Sequence, residues 1–123
     1  MKSILIIDDA STVRMYHRNI LDVIGYHTDE AINGIEALEK ALVNHYDLYI
    51  VDVNMPKMDG YGFLKELRSQ AMAQAPAIMV STEAAKFDCT LAYEAGANVY
   101  LVKPAKPNEL ISYTRLLLGE GVV

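Results

Sequence analysis

Three carboxylates, two hydroxyls and a lysine stand where the chain turns from apolar to polar. Asp8 and Asp9 end the run Ile4-Leu5-Ile6-Ile7, and Asp52 ends Leu48-Tyr49-Ile50-Val51. Ser81 and Thr82 follow Ala77 to Val80, and Lys103-Pro104 follows Asn98 to Val102. An apolar run without polar alternation reads as a strand covered on both faces, and open α/β sheets place their chemistry at the carboxyl ends of such strands. Three acids gathered there repel one another and raise their own pKa values unless a cation intervenes. A hard divalent ion is the usual remedy. Magnesium takes oxygen ligands and keeps several waters, so a few carboxylates and a backbone carbonyl suffice. Lys103 adds a point charge that can reach the same anionic group, and Ser81 adds a hydroxyl donor. Together they describe an Asp nucleophile, Asp52, that accepts a phosphoryl group. A plainer reading stands beside this one: an Asp that caps a turn, since Pro56 and Asp59-Gly60 bend the next segment.

The elements that must position these groups alternate along the chain. Ser11 is a good N-cap for a first helix carrying Val13, Tyr16, Ile20, Leu21 and Ile24, stopped by Gly25. His17 lies on or beside that stripe and reads as a packing or surface residue, with no Cys or His at metal-ligand spacing. Tyr26 to Ala31 is polar-mixed, the pattern of a short strand near a sheet edge. After Asn33-Gly34, a second helix carries Ile35, Leu38, Ala41 and Leu42, with Glu36 and Lys40 at i,i+4 on its wet side. Phe63, Leu64 and Leu67 mark a third helix, and Phe87, Leu91, Ala92 and Ala95 a fourth, closed by Gly96. Pro107 opens the last helix, which carries Leu110, Ile111, Tyr113, Leu117 and Leu118 up to Gly119. Glu120 to Val123 is expected to fray. Five strands alternating with five helices imply right-handed crossovers and a parallel sheet covered on both faces. With no repeat or internal boundary, residues 1–123 read as one domain.

Composition narrows the functions. The 123 residues are 52% hydrophobic, enough for a real core. A net charge of -5 argues against an electrostatic nucleic-acid binder. Cys89 is the sole cysteine, so a reducing compartment is expected, and it reads as a small packing residue rather than a redox sensor. Ile4 to Ile7 is too short for a signal peptide, and no apolar run approaches the roughly 20 residues that span a bilayer. No membrane association is expected, and the protein is read as cytoplasmic.

The set Asp8-Asp9, Asp52 to Gly60, Ser81 and Lys103-Pro104 resembles the receiver domain of two-component response regulators, in particular the stand-alone CheY-like chemotaxis type, across essentially the whole chain. The resemblance implies a flavodoxin-like, doubly wound five-stranded sheet of order 2-1-3-4-5 with five helices. It implies that Asp52 takes phosphate from a phosphohistidine on a sensor histidine kinase. Asp8 and Asp9 would hold Mg2+, Asp9 more directly, with Asp52 and the Asn54 carbonyl completing the protein ligands. Lys103 would bind the phosphoryl group, and the Lys103-Pro104 bond would be cis. Ser81 matches the family's hydroxyl position, with Thr82 beside it as the alternative, and Tyr100 matches its aromatic switch. Ser81 drawn toward the phosphoryl group would vacate space for the Tyr100 ring. That would reshape a face of helix four, strand five and helix five that binds a downstream target protein. The unphosphorylated form would be monomeric.

Departures and rivals follow from particular residues. Ala105 stands where many relatives carry Phe, so the partner can differ from a flagellar motor switch. Leu116, Leu117 and Leu118 cannot all point inward, leaving one for an interface or simply exposed. Asn54 and Glu83 flank the phosphoryl position and can orient or obstruct an attacking water, although Glu83 equally suits an ordinary helix N-terminus. A dinucleotide site or P-loop would need glycine patterns this chain lacks. A magnesium-dependent phosphatase with an Asp nucleophile would carry a second Asp two residues on, where this chain has Ala10 or Asn54. No output domain is read from the sequence. The chain is therefore expected to signal through another protein, to relay phosphate or to act as a phosphate sink.

Overall fold

Residues 1–83 and 85–120 are described in a computed structural model of the chain. The continuous apolar runs form the inner strands. These are β1 (Ser3–Ile7), β3 (Leu48–Asp52) and β4 (Ala77–Ser81), with β2 (His27–Ala31) and β5 (Val99–Val102) at the edges. All pair in parallel in the order β2-β1-β3-β4-β5, the doubly wound arrangement that the alternation of elements implies. Successive side chains take opposite faces. Leu5, Ile7, Tyr49, Val51 and Met79 pack on one side, and Ile4, Ile6, Leu48, Ile50, Ile78 and Val80 on the other. The first side receives α2 (Gly34–Val43), α3 (Gly60–Ser69) and α4 (Lys86–Ala95), and the second receives α1 (Ser11–Val23) and α5 (Pro107–Leu117).

Several local expectations are corrected. Ala10, not Ser11, is the N-cap of α1, and it makes no side-chain capping bond. Asp8 Oδ1 takes the Ala10 N–H instead, at 2.9 Å. The buried stripe of α2 is Gly34, Ala37 and Ala41, while Ile35 and Leu42 are exposed. Small residues lie beneath α2 because it sits close to its neighbours: Gly34 N–H bonds Met58 O at 3.0 Å. Glu36 and Lys40 do not pair across a wet face. Glu36 accepts the Ile32 N–H, and Lys40 donates to Glu30 O and Asp29 of the edge strand. Phe87 is 64% exposed, so α4 buries Ala92 and Ala95 with Leu91 at the margin. Glu120 is anchored rather than frayed, since Tyr26 Oη donates to its carboxylate at 2.7 Å. Residues 121–123 lie outside the described residues. Of the three consecutive leucines, Leu116 is exposed and Leu117 and Leu118 are half-buried.

Candidate functional site

β1, β3, β4 and β5 all run in one direction, so their carboxyl ends share one edge of the sheet. Asp52 is the last residue of β3 and is only 6% exposed; Asp8 follows β1 and is 2% exposed. Asp9 is exposed beside them. One carboxylate oxygen from each of Asp8, Asp9 and Asp52 lies within 4.8 Å of the others. Lys103 reaches across from the end of β5. Its Nζ donates to Asp8 Oδ2 and to Asp52 Oδ1, both at 2.8 Å. The turn-cap role weighed for Asp52 belongs instead to Asp8, whose Oδ1 holds Ala10 N–H while its Oδ2 faces the lysine.

Charge and burial act on this group in opposite directions. Burial pushes the Asp52 carboxyl up; the Lys103 hydrogen bond opposes this, Asp8 and Asp9 reinforce it, and the net shift is upward. Burial alone would pull Lys103 down, but its bonds to Asp52 and Asp8 outweigh that and hold it above the usual lysine range. Burial leads the Asp52 shift, and one lysine shared between two acids does not offset it, while the two acids together satisfy the cation. The donor set is carboxylate oxygen throughout. That is the chemistry hard divalent cations take, and one such ion would supply the missing charge.

The remaining residues are placed as follows. Ser81 closes β4 and is buried; its Oγ accepts the Glu83 N–H at 3.1 Å, and its carbonyl accepts the Lys103 N–H at 2.7 Å. Thr82 is exposed. Asn54 is exposed two residues beyond Asp52. The Lys103-Pro104 bond is cis. The Tyr100 ring is half-buried against the α3–α4 side of the core, and its hydroxyl donates to Glu83 O at 2.6 Å. Glu83 therefore meets both the Ser81 side chain and the Tyr100 hydroxyl through its backbone, a link its residue type gives no sign of.

Arg14 belongs to no motif in the sequence, yet it braces the site. Its Nη1 donates to Asp8 O at 2.7 Å and its Nε to Glu30 Oε1 at 2.9 Å, which ties the acid turn to the edge strand. Its place on α1, a turn beyond Asp8-Asp9, was the available signal. His17 is buried with its Nδ1 unpartnered among the described residues, and burial lowers its pKa to about 4, so it is neutral beside the site.

A parallel doubly wound domain with acids and a lysine converging at one sheet edge is built for phosphoryl chemistry. The family described as the response regulator receiver domain matches residues 4–115, and the chain belongs to it. It is 39% identical over 119 residues to Chemotaxis protein CheY1 of Helicobacter pylori, covering 94% of this chain and 96% of that protein. It is also 39% identical over 117 residues to "Probable transcriptional regulator ycf27" of Cyanophora paradoxa, but spans only 48% of that protein's length. Among solved structures, the Vibrio cholerae chemotaxis protein CheY4 superposes with a TM-score of 0.89 at 34% identity, covering 95% of this chain and 98% of that one. The fold is thus the flavodoxin-like CheY fold, and the chain is a response regulator receiver domain, a phosphoacceptor switch module. No helix among the described residues is long and apolar enough to cross a membrane.

Proposed function

We propose that Asp52 is the phosphoacceptor. The observation that carries this reading is the Lys103 ammonium, held 2.8 Å from both Asp8 Oδ2 and Asp52 Oδ1 at a shared strand edge. An Asp52 oxygen attacks the phosphorus of a phosphohistidine on a sensor histidine kinase; the P–N bond breaks, the imidazole leaves, and an acyl phosphate remains. Lys103 orients the phosphoryl oxygens and offsets their charge. Asp8, Asp9, Asp52 and the Asn54 carbonyl are the residues that would hold Mg2+. When bound, the ion draws charge from the carboxylates and from the phosphoryl oxygens. Residues 1–123 then act as one receiver domain in the cytoplasm, monomeric before phosphorylation, with limited self-phosphorylation and autodephosphorylation.

Output runs through Ser81 and Tyr100. An acyl phosphate carries about two negative charges and strong acceptor oxygens. Ser81 donating to it gives up its bond from Glu83 N–H, and Glu83 O is the acceptor that holds Tyr100. The resulting rearrangement reaches the face of α4, β5 and α5, which binds a downstream target, and chemotaxis is one setting for it. The Tyr100→Ala variant should take up phosphate at the wild-type rate yet bind that target about tenfold more weakly when phosphorylated, the scale of one well-packed interface aromatic. Equal affinity in a pull-down of phosphorylated wild type and variant would remove Tyr100 from the switch.

Incubation with acetyl phosphate and Mg2+ tests the whole reading. About one phosphoryl group per chain is expected, on Asp52 by mass mapping and shed slowly; removing Mg2+ with EDTA should stop uptake. Continuous turnover of many substrates per chain would instead indicate a phosphatase.

A further inference from the structure

We propose that Tyr16 is a positioning residue: its hydroxyl fixes the loop that carries Lys103 and so sets how firmly the lysine holds Asp8 and Asp52 against a competing cation. This rests on the phosphoacceptor reading for its consequence, but not for its geometry.

Tyr16 lies on α1, shortly after the acid pair. Its Oη donates to Ala105 O at 2.7 Å, a bond between residues 89 apart in sequence. Ala105 is two residues beyond Lys103. The span between them borders a cavity of about 340 Å3 lined by Thr12, Val13, Tyr16 and His17 on the helix side and by Thr82, Lys103 and Pro104 opposite. The cavity separates the rest of that helix face from Lys103 and Pro104, and Tyr16 reaches past it to the loop. Among the described residues the loop's anchors include the Lys103 N–H to Ser81 O bond at 2.7 Å, the buried Ala105 methyl and the Tyr16 hydroxyl. Of these, the Ala105 methyl shares an apolar cluster with Leu21 of α1, and Tyr16 supplies the hydrogen bond, among the described residues, that ties the loop to α1, the helix that grows directly out of the Asp8-Asp9 turn. The clasp therefore links the element bearing the acids to the element bearing the lysine.

A lysine whose loop is already fixed loses little freedom on binding the two acids, so the contact is tight. Freed, the same lysine holds them less well. A divalent cation seeking those oxygens then gains, while a phosphoryl group that needs the lysine in place loses. The two effects have opposite signs. General loosening of the site would weaken both.

Tyr16→Phe keeps the ring and removes the hydroxyl. Calorimetric titration of the full chain with Mg2+ alone should show affinity rising about two- to tenfold, the range one hydrogen bond is worth. Uptake from acetyl phosphate at saturating Mg2+ should slow by a similar factor. In the metal-free protein, the Lys103 ammonium protons should exchange faster with water. Repeated in a Lys103→Met background, Tyr16→Phe should leave Mg2+ affinity unchanged, since the lysine it acts through is gone. Mg2+ affinity that is unaltered or weaker in Tyr16→Phe overturns the proposal, as does an increase that persists without Lys103. Should the wild type take no phosphoryl group on Asp52, the phosphoacceptor reading fails alone, and the Mg2+ and exchange measurements still decide the clasp.

Discussion

Asp52→Asn should reduce phosphoryl uptake from acetyl phosphate to background while leaving the fold intact or slightly more stable. The chemistry requires a carboxylate oxygen as nucleophile, and a neutral amide is not one. Neighbouring acids do not rescue it on this geometry: Asp8 has one oxygen committed to Ala10 N–H and the other to Lys103, and Asp9 is exposed at the rim. Mg2+ affinity should fall roughly 10-fold or more, because a direct oxygen donor is lost and even an outer partner of a ligand is worth that much. Stability moves the other way. The Asp52 pKa is raised in the fold, by burial first and by Asp8 and Asp9 after it. A carboxyl shifted upward contributes stability that is fully present below its unfolded pKa and is lost as pH rises through its folded pKa. At neutral pH the metal-free wild type therefore carries an ionised Asp52 that the fold resists. The variant does not, and Lys103 keeps Asp8 as a partner. Melting curves without metal should coincide near pH 4 and separate in favour of Asp52→Asn toward pH 7. Added Mg2+ should close the gap by stabilising the wild type. Full uptake in Asp52→Asn would move the acceptor elsewhere.

The architecture was legible because its signals are local and redundant. Ile4 to Ile7, Leu48 to Val51 and Ala77 to Val80 are apolar on both faces, a pattern a half-exposed antiparallel strand does not show, and each ends on a polar residue. Once those strands are parallel, their ends share an edge, and the acids and Lys103 meet without further assumption. Helix faces were less legible where an element buries small residues. In α2 the apolar count favoured Ile35 and Leu42, but Gly34 must approach Met58 closely, and only small residues permit that. Phe87 misled in the same way, being large and apolar but set at the open end of α4.

Side-chain links to backbone were the least legible. The Tyr16 bond to Ala105 O, the Arg14 bond to Asp8 O and the Tyr100 bond to Glu83 O all end on a carbonyl. A carbonyl belongs to every residue type, so its partner leaves no trace in sequence. Each of these bonds also joins or braces a loop at the carboxyl edge of the sheet. The acids and the lysine could be read from residue types; what holds them in register could not.

Gly60→Ala should be among the most damaging single-methyl changes in the chain. Gly60 is the first residue of α3, and its N–H bonds Val53 O at 2.9 Å. The helix start is thereby pulled against the end of β3. A Cβ built on Gly60 would overlap the Asp52 carbonyl oxygen and come within 3.0 Å of the Met79 methyl. The first neighbour is backbone in a fully buried strand, which cannot swing aside as a flexible side chain can. Overpacking of this kind costs about 1–3 kcal/mol, sometimes more. For a domain of this size that lowers the melting temperature by roughly 5–12 °C. The function should suffer beyond the loss of stability, because the atom displaced belongs to the residue proposed to accept phosphate. Uptake should fall even at temperatures where the variant is fully folded. Gly62→Ala, two residues along, supplies the contrast. There the nearest atoms are the Met58 Cγ at 3.2 Å and the Asp59 Oδ1 at 3.3 Å, both on side chains able to give. Alanine also favours the helix by up to about 1 kcal/mol over glycine. Gly62→Ala should therefore melt within a few degrees of wild type and take up phosphate normally. Equal melting temperatures and uptake rates for the two variants would show that α3 does not press on the backbone of Asp52, and that the acceptor's position is set by the sheet alone.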